Sequence, residues 1–249
     1  MTIRRSHIHQ KFLQRLGRAI ALLGLLWVAF GEPVWALTWS YQEPTDPAHW
    51  AEIDPAYKLC ATGHTQSPVD LVTAKMGASV GASGDLTLDY GVAPSAVVEP
   101  GTTLQVRYPA GNQLTVGNQS YGLQQFHFHV PSEHWIDHRP HAMEVHWVHR
   151  SEAGDLAVLA VLVDAGRENP ALEQLWRSLT DDTALAAFDG QSLLPHDLAH
   201  YRYSGSLTTP PCSEGVQWLV LSQPIQASAA QIARFTARYG PNVRPLQRQ

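Results

Sequence analysis

The sequence predicts a mainly β protein, one large sheet with a few peripheral helices in a single domain. Three observations predict it. Short runs rich in β-branched and aromatic residues follow one another from Asp85 to Asp164, split by Gly, Pro, Asn or charged turns. Several alternate with a period of two, as in Leu104, Val106, Tyr108 and again in Gln125, His127, His129, so each run has two unlike faces. Helical periodicity is legible in two places, both after Asp164.

In chain order, strands are expected at Leu86 to Tyr90, Leu104 to Tyr108, Tyr121 to Val130, Met143 to Arg150 and Leu156 to Asp164. Asn169 followed by Pro170 supplies an N-cap with Pro at the first helical position, and Leu172, Leu175, Trp176 and Leu179 then form one apolar stripe. Near the C-terminus Ser228 and Gln231 make a capping box, Ile232 and Phe235 supply the buried face, and Gly240 ends the helix. No internal repeat or long linker divides the chain.

Composition narrows the function classes. With 249 residues, 44% of them hydrophobic, the chain buries a real core and is not a disordered protein. A balance of 17 Lys+Arg against 22 Asp+Glu, net −5, argues against a nucleic-acid partner. Thirteen His and eight Trp against two Cys point to histidine chemistry in an aromatic-rich core and exclude a small cysteine-framework scaffold.

The first residues read as an export signal. Arg4, Arg5, Lys11, Arg15 and Arg18 precede an apolar run from Ala19 to Phe30, which falls short of the roughly 20 residues a membrane span needs. Gly31 and Pro33 break the run, and Val34-Trp35-Ala36 offers small side chains for cleavage after Ala36. Residues 1–36 are therefore expected to be a signal peptide and 37–249 the mature domain, periplasmic or extracellular, with no stable membrane span; an uncleaved anchor or a core helix is the alternative. Losing five basic residues and one acidic leaves a formal charge of −9. In an oxidising compartment Cys60 and Cys212 are expected to be bridged, which is worth about 4–5 kcal/mol in the loop-entropy description. Two buried free thiols are the other reading.

The chemistry concentrates in Gln125-Phe-His-Phe-His129, Ser132-Glu-His134 and Glu144-Val-His146. On a strand, His127 and His129 share one face while Phe126 and Phe128 turn to the other. An antiparallel neighbour would bring His146 beside them, with Gln125 and Glu144 placed to orient the rings. Three neutral nitrogen donors without a thiolate suit zinc in an open, catalytic site. A lone His-x-His pair is more often structural, and among thirteen histidines such pairs arise by coincidence. His134, His138, His141 and His149 are read as structural or surface histidines. His127-x-His129-x-x-x-Glu133 also fits the first cupin motif, but Pro140 precedes His146 without the glycine spacing of the second.

These segments, together with Trp39-Ser-Tyr41, His49-Trp50, Gln66-Ser-Pro-Val-Asp70, Ser206-Leu-Thr-Thr-Pro-Pro211, Val216-Gln-Trp218 and Asn242-Val-Arg-Pro245, resemble the α-class carbonic anhydrases over nearly the whole mature chain. The resemblance implies a twisted, mostly antiparallel sheet of about ten strands with zinc at the foot of a conical cleft. It implies reversible hydration of carbon dioxide to bicarbonate and a proton through zinc-bound hydroxide, with esterase activity as a side reaction. His127, His129 and His146 would be the ligands, Gln125 and Glu144 their partners, and Thr208 with Glu133 the catalytic pair. Val148, Val158, Leu207, Val216 and Trp218 would form an apolar wall, with Tyr41 and Thr209 on the polar side. Cys60 and Cys212 match a disulfide of exported bacterial members, and Pro68 and Pro211 match prolines that are cis in the family. The chain departs from the family at Thr102, where fast members carry a proton-shuttling histidine; threonine cannot relay a proton near neutral pH. A non-catalytic binding module with the same fold is the competing class, and homodimerisation stays open.

Overall fold

The computed structural model describes residues 38–76, 80–181 and 185–248. The expected signal peptide, 1–36, lies outside the described residues. Three single-turn helices, α1 (Trp50–Ile53), α2 (Leu59–Thr62) and α3 (Thr73–Met76), precede the main sheet. They frame three early strands, β1 (Asp70–Leu71), β2 (Val80–Gly81) and β3 (Leu86–Asp89). The middle of the chain supplies β4 (Ala96–Val98), β5 (Gln105–Arg107), β6 (Gln113–Val116), β7 (Gln119–His129), β8 (Trp135–Ile136), β9 (Arg139–Pro140), β10 (Met143–Arg150) and β11 (Leu156–Ala165). After α4 (Pro170–Ser178) come β12 (His200–Ser206), β13 (Glu214–Leu221), β14 (Ile225–Ala227) and α5 (Ala229–Tyr239).

Eleven strands form one sheet, whose main path runs β2-β12-β13-β11-β10-β7-β5-β4; β1, β8 and β9 form a small second sheet. The large sheet is mixed: most pairs are antiparallel, but β11 pairs in parallel with both β13 and β14. That places β11 at the centre, and its run Leu156–Ala165 is apolar almost throughout because both of its faces are covered.

Alternation separates the two faces. Phe126, Phe128, Val145, Trp147, Leu159, Val161 and Leu219 point to one side and build the main core with Leu175, Trp176 and Phe235 of α4 and α5. The opposite face of the same strands carries His127, His129 and His146 and a smaller apolar cluster. Both helices begin as the residues require: Asn169 accepts from the amides of Ala171 and Leu172, and Ser228 and Gln231 cap one another. The first apolar stripe stops at Ser178, one residue short of Leu179, which is the C-cap.

Cys60 and Cys212, 152 residues apart, form the expected disulfide. The Ser67–Pro68 and Pro210–Pro211 peptides are cis, as are Glu43–Pro44 and Val130–Pro131.

Candidate metal centre

The register of β7 against β10 decides which side chains meet. His146 lies directly opposite His127, Glu144 opposite His129, and Val148 opposite Gln125. All six share one face, and the third imidazole arrives from the neighbouring antiparallel strand. Ring centroids are 5.0 Å apart for His127 and His129, 5.4 Å for His127 and His146, and 4.4 Å for His129 and His146.

Each ring is pinned through one nitrogen. His127 Nδ1 lies 2.9 Å from Gln125 Oε1, His129 Nδ1 2.8 Å from the Asn242 carbonyl, and His146 Nε2 2.8 Å from Glu144 Oε1. Those partners are acceptors, so the N–H sits there and the other nitrogen keeps its lone pair. One ligand atom from each of the three residues lies within 4.8 Å of the other two, a separation one ion spans. His129 Nε2 is buried with no hydrogen-bond partner, an expensive arrangement for an isolated imidazole and an ordinary one for a metal ligand.

Electrostatics keep these rings neutral. Burial is the largest cause for all three and pushes their pKa values down, His129 to about 4; neighbouring imidazoles add to the effect at His127. A neutral imidazole is the form that ligates.

Glu144 is the anchor beneath. Burial alone would raise its pKa, but His134 and His146 around it hold the carboxyl well below the ordinary range. Oε1 accepts from His134 Nδ1 at 2.7 Å as well as from His146, and Oε2 accepts the Glu133 and His134 amides at 2.8 Å each. His134, Glu144 and His146 also stand close enough to hold an ion, but their facing atoms are spent on these hydrogen bonds. A third group, Glu43, Asp46 and His49, lies at the surface, where Asp46 and His49 bond at 2.6 Å.

Glu133 is buried beside the triad, where desolvation raises its pKa to about 7 against the opposing pull of His146 and Thr208. Its Oε1 accepts the Arg244 amide at 2.8 Å, and its Oε2 has no formed hydrogen bond. Thr208 is nearby and almost fully buried, at the end of β12. The turn it opens is tied down at three points: the Leu207 amide donates to Ser213, the Cys212 amide to Thr209, and the disulfide holds Cys212. Ser206 and Ser67 exchange side-chain and amide bonds of 2.9 and 3.0 Å. Gly205 permits this approach, since a Cβ there would fall 2.2 Å from Ser67 Oγ.

A cavity of about 340 Å³ opens over the triad, with His127, His129 and Gln125 in its lining. Tyr41, Thr209 and Thr102 line it too, as do Trp39 and Gln105. Burial, and then the Glu133 charge, raise the Tyr41 pKa well above its ordinary value, so the phenol stays neutral. The five residues expected as an apolar wall pack in one cluster, Val158, Val216 and Trp218 buried and Val148 and Leu207 against them, but none of the five is in the lining of this cavity. The Trp218 ring centroid is 4.9 Å from that of His146. A wider groove of about 730 Å³, beside Gln113, Gln119 and Arg150, includes none of these residues.

Sequence reasoning missed the roles of Asn242 and Arg244, whose backbone carbonyl and amide hold His129 and Glu133. His134, read as a structural or surface histidine, is fully buried and bridges Glu144 to the Tyr203 hydroxyl at 2.6 Å, a role the sequence pattern did not show.

A mixed β-sheet carrying three pinned, converging histidines on one face defines a candidate metal centre of the all-histidine kind. Comparison with known proteins narrows it. The family model of eukaryotic-type carbonic anhydrases matches residues 45–247. A carbonic anhydrase of Pectobacterium atrosepticum is 41% identical over 219 residues, 84% of this chain and 86% of that one. One from Neisseria gonorrhoeae is 39% identical over 248 residues, 95% and 96% of the two chains. The solved α-carbonic anhydrase of Thermovibrio ammonificans, in complex with the inhibitor sulfanilamide, superposes with a TM-score of 0.78 at 36% identity, covering 85% of this chain and 95% of its own. The chain belongs to the eukaryotic-type, or α-class, carbonic anhydrase family and is an enzyme of that class.

Proposed function

We propose that the chain is a zinc enzyme that reversibly hydrates carbon dioxide to bicarbonate and a proton. The observation that carries the reading is the set of three neutral imidazoles with their N–H groups turned outward and their free nitrogens converging. His127, His129 and His146 would hold the ion. Zinc held there would supply Lewis acidity, which would bring the deprotonation of water down to about pH 7, a magnitude known for carbonic anhydrases as a class.

The chain's own groups do the rest. Gln125, Glu144 and the Asn242 carbonyl fix ring tautomer and direction. Thr208, beside the unbonded Glu133 Oε2, would donate to that oxygen and so offer its own oxygen, as an acceptor, to the reacting water. Val148, Val158, Leu207, Val216 and Trp218 give carbon dioxide an apolar resting place that does not compete for hydrogen bonds, while Tyr41 and Thr209 order the polar side. The proton leaves through a mouth where Thr102 stands; among the described lining residues the histidines are only His127 and His129, so a diffusible buffer carries the proton away. Ester hydrolysis is a side reaction the same site would support.

Export with cleavage after Ala36 is part of this reading. The basic flank, the short apolar run and the Cys60–Cys212 disulfide support it. Among the described residues no helix is long and apolar enough to cross a membrane.

The test is metal analysis of residues 37–249 with stopped-flow hydration before and after chelation. One zinc per chain and a rate that vanishes and returns with the metal support the reading. A zinc-loaded chain with no hydration rate would make it a binding module.

A further inference from the structure

The cavity over the histidines has a lip, residues 99–103, of which Pro100, Thr102 and Thr103 face inward. Gly101, at φ 99°, lets the lip turn. Two inner ties hold it: the Thr103 hydroxyl donates to the Phe128 carbonyl at 2.6 Å, and Asn242 Nδ2 donates to the Thr102 carbonyl at 3.0 Å.

The outer tie is of another kind. Glu99 is clasped by both Nε and Nη2 of Arg238, the latter at 2.6 Å, and accepts a 2.5 Å hydrogen bond from the Tyr239 hydroxyl. Exposed ion pairs commonly contribute little, because two long side chains must be ordered together. Here the fork is bidentate, and the third partner is already ordered. The Tyr239 ring packs 4.6 Å from Phe235 and stacks on Trp176, which fixes the end of α5 to the core. Arg238 holds the Glu99 carboxyl below the ordinary range against its partial burial. Neither Arg238 nor Tyr239 lines the cavity, so any action on it passes through the lip.

We infer that Arg238 and Tyr239, acting through Glu99, are positioning residues that set the width of the cavity mouth, and with it the access of small solutes and protonatable buffers to the histidines. As a statement about turnover, this rests on the cavity being the carbon dioxide site. The lip itself is testable without turnover.

The experiment uses the zinc-loaded mature chain and the variants Arg238→Gln, Arg238→Lys and Tyr239→Phe, with the pair-swapped Glu99→Arg, Arg238→Glu chain as the rescue. Hydrogen exchange over residues 99–103, zinc release to dipicolinate, and the KM and kcat of hydration are measured together. Arg238→Gln is expected to speed exchange in the lip about tenfold, and zinc release severalfold, with KM moving more than kcat. The swapped pair should return most of the way to wild type, while Arg238→Lys, which keeps the charge without the fork, and Tyr239→Phe should fall between. Unchanged lip exchange and zinc release in Arg238→Gln would overturn the inference, as would exchange that rises equally along the whole chain. A wild-type chain that holds zinc but hydrates nothing removes the carbon dioxide reading alone, because exchange and release still decide the lip's role.

Discussion

His146 and His149 lie three residues apart on one strand, and both imidazoles are fully buried. They do opposite things. His149 faces the aromatic core, where Nε2 accepts from the Tyr90 hydroxyl at 2.5 Å and Nδ1 donates to the Ala157 carbonyl at 3.3 Å. Both of its nitrogens are spent. His146 faces the cavity side, spends Nε2 on Glu144, and leaves Nδ1 3.9 Å from a Glu133 oxygen, beyond hydrogen-bond reach. Burial and residue type are therefore the same at the two positions. An uncommitted lone pair, converging with those of two neighbours, separates the proposed metal ligand from the core histidine.

The largest break in that comparison removes a converging nitrogen. His146→Ala should abolish stoichiometric zinc binding and metal-dependent hydration while circular dichroism stays native, because the core lies on the other face. The converse is Phe128→Ala, which should cost about 3–5 kcal/mol in urea denaturation and lower the melting temperature by roughly 10 °C. Zinc stoichiometry should survive it.

A smaller effect sharpens the role of pinning. Gln125→Ala frees the His127 ring without removing it, and zinc affinity measured by competition with a chelator should fall about 10–100-fold.

The core histidine has its own signature. Burial lowers the His149 pKa to about 3, against an ordinary value near 6.5 in the unfolded chain. Between those values the unfolded state binds a proton that the folded state refuses, so stability is full above pH 6.5 and is lost as pH falls toward 3. The slope is about 1.4 kcal/mol per pH unit for one such group. In metal-free protein, His149→Phe should reduce that acid slope by one group, read from urea midpoints across the window.

The smallest expected change is at the rim. Thr102→His should raise turnover severalfold in weak buffer and hardly at all in strong buffer; an identical rate in weak buffer would remove the proposal that proton export limits this chain.

How much of this was legible follows from what a strand period carries. His127, His129, Gln125, His146 and Glu144 could be read because alternation assigns a face residue by residue, and the register opposes His146 to His127 as antiparallel pairing requires. The central run Leu156–Ala165 was visible because a strand covered on both faces is apolar throughout. Asn242 and Arg244 were legible only as part of a family motif, since the groups that act are a backbone carbonyl and amide reaching across 113 and 111 residues, and side-chain patterns say nothing of them. β12 and β13 were likewise seen as motifs rather than strands. His134 was expected to be a structural or surface histidine and is fully buried; that it shares Glu144 with His146 depends on a turn whose path no periodicity gives.

Three imidazoles sharing one ion leave their signature in X-ray absorption at the zinc edge of the mature chain. The expected spectrum is a four-coordinate shell at about 2.0–2.1 Å with multiple scattering from three imidazole rings and no sulfur. A spectrum with one imidazole or none, or with a sulfur shell near 2.3 Å, would contradict it.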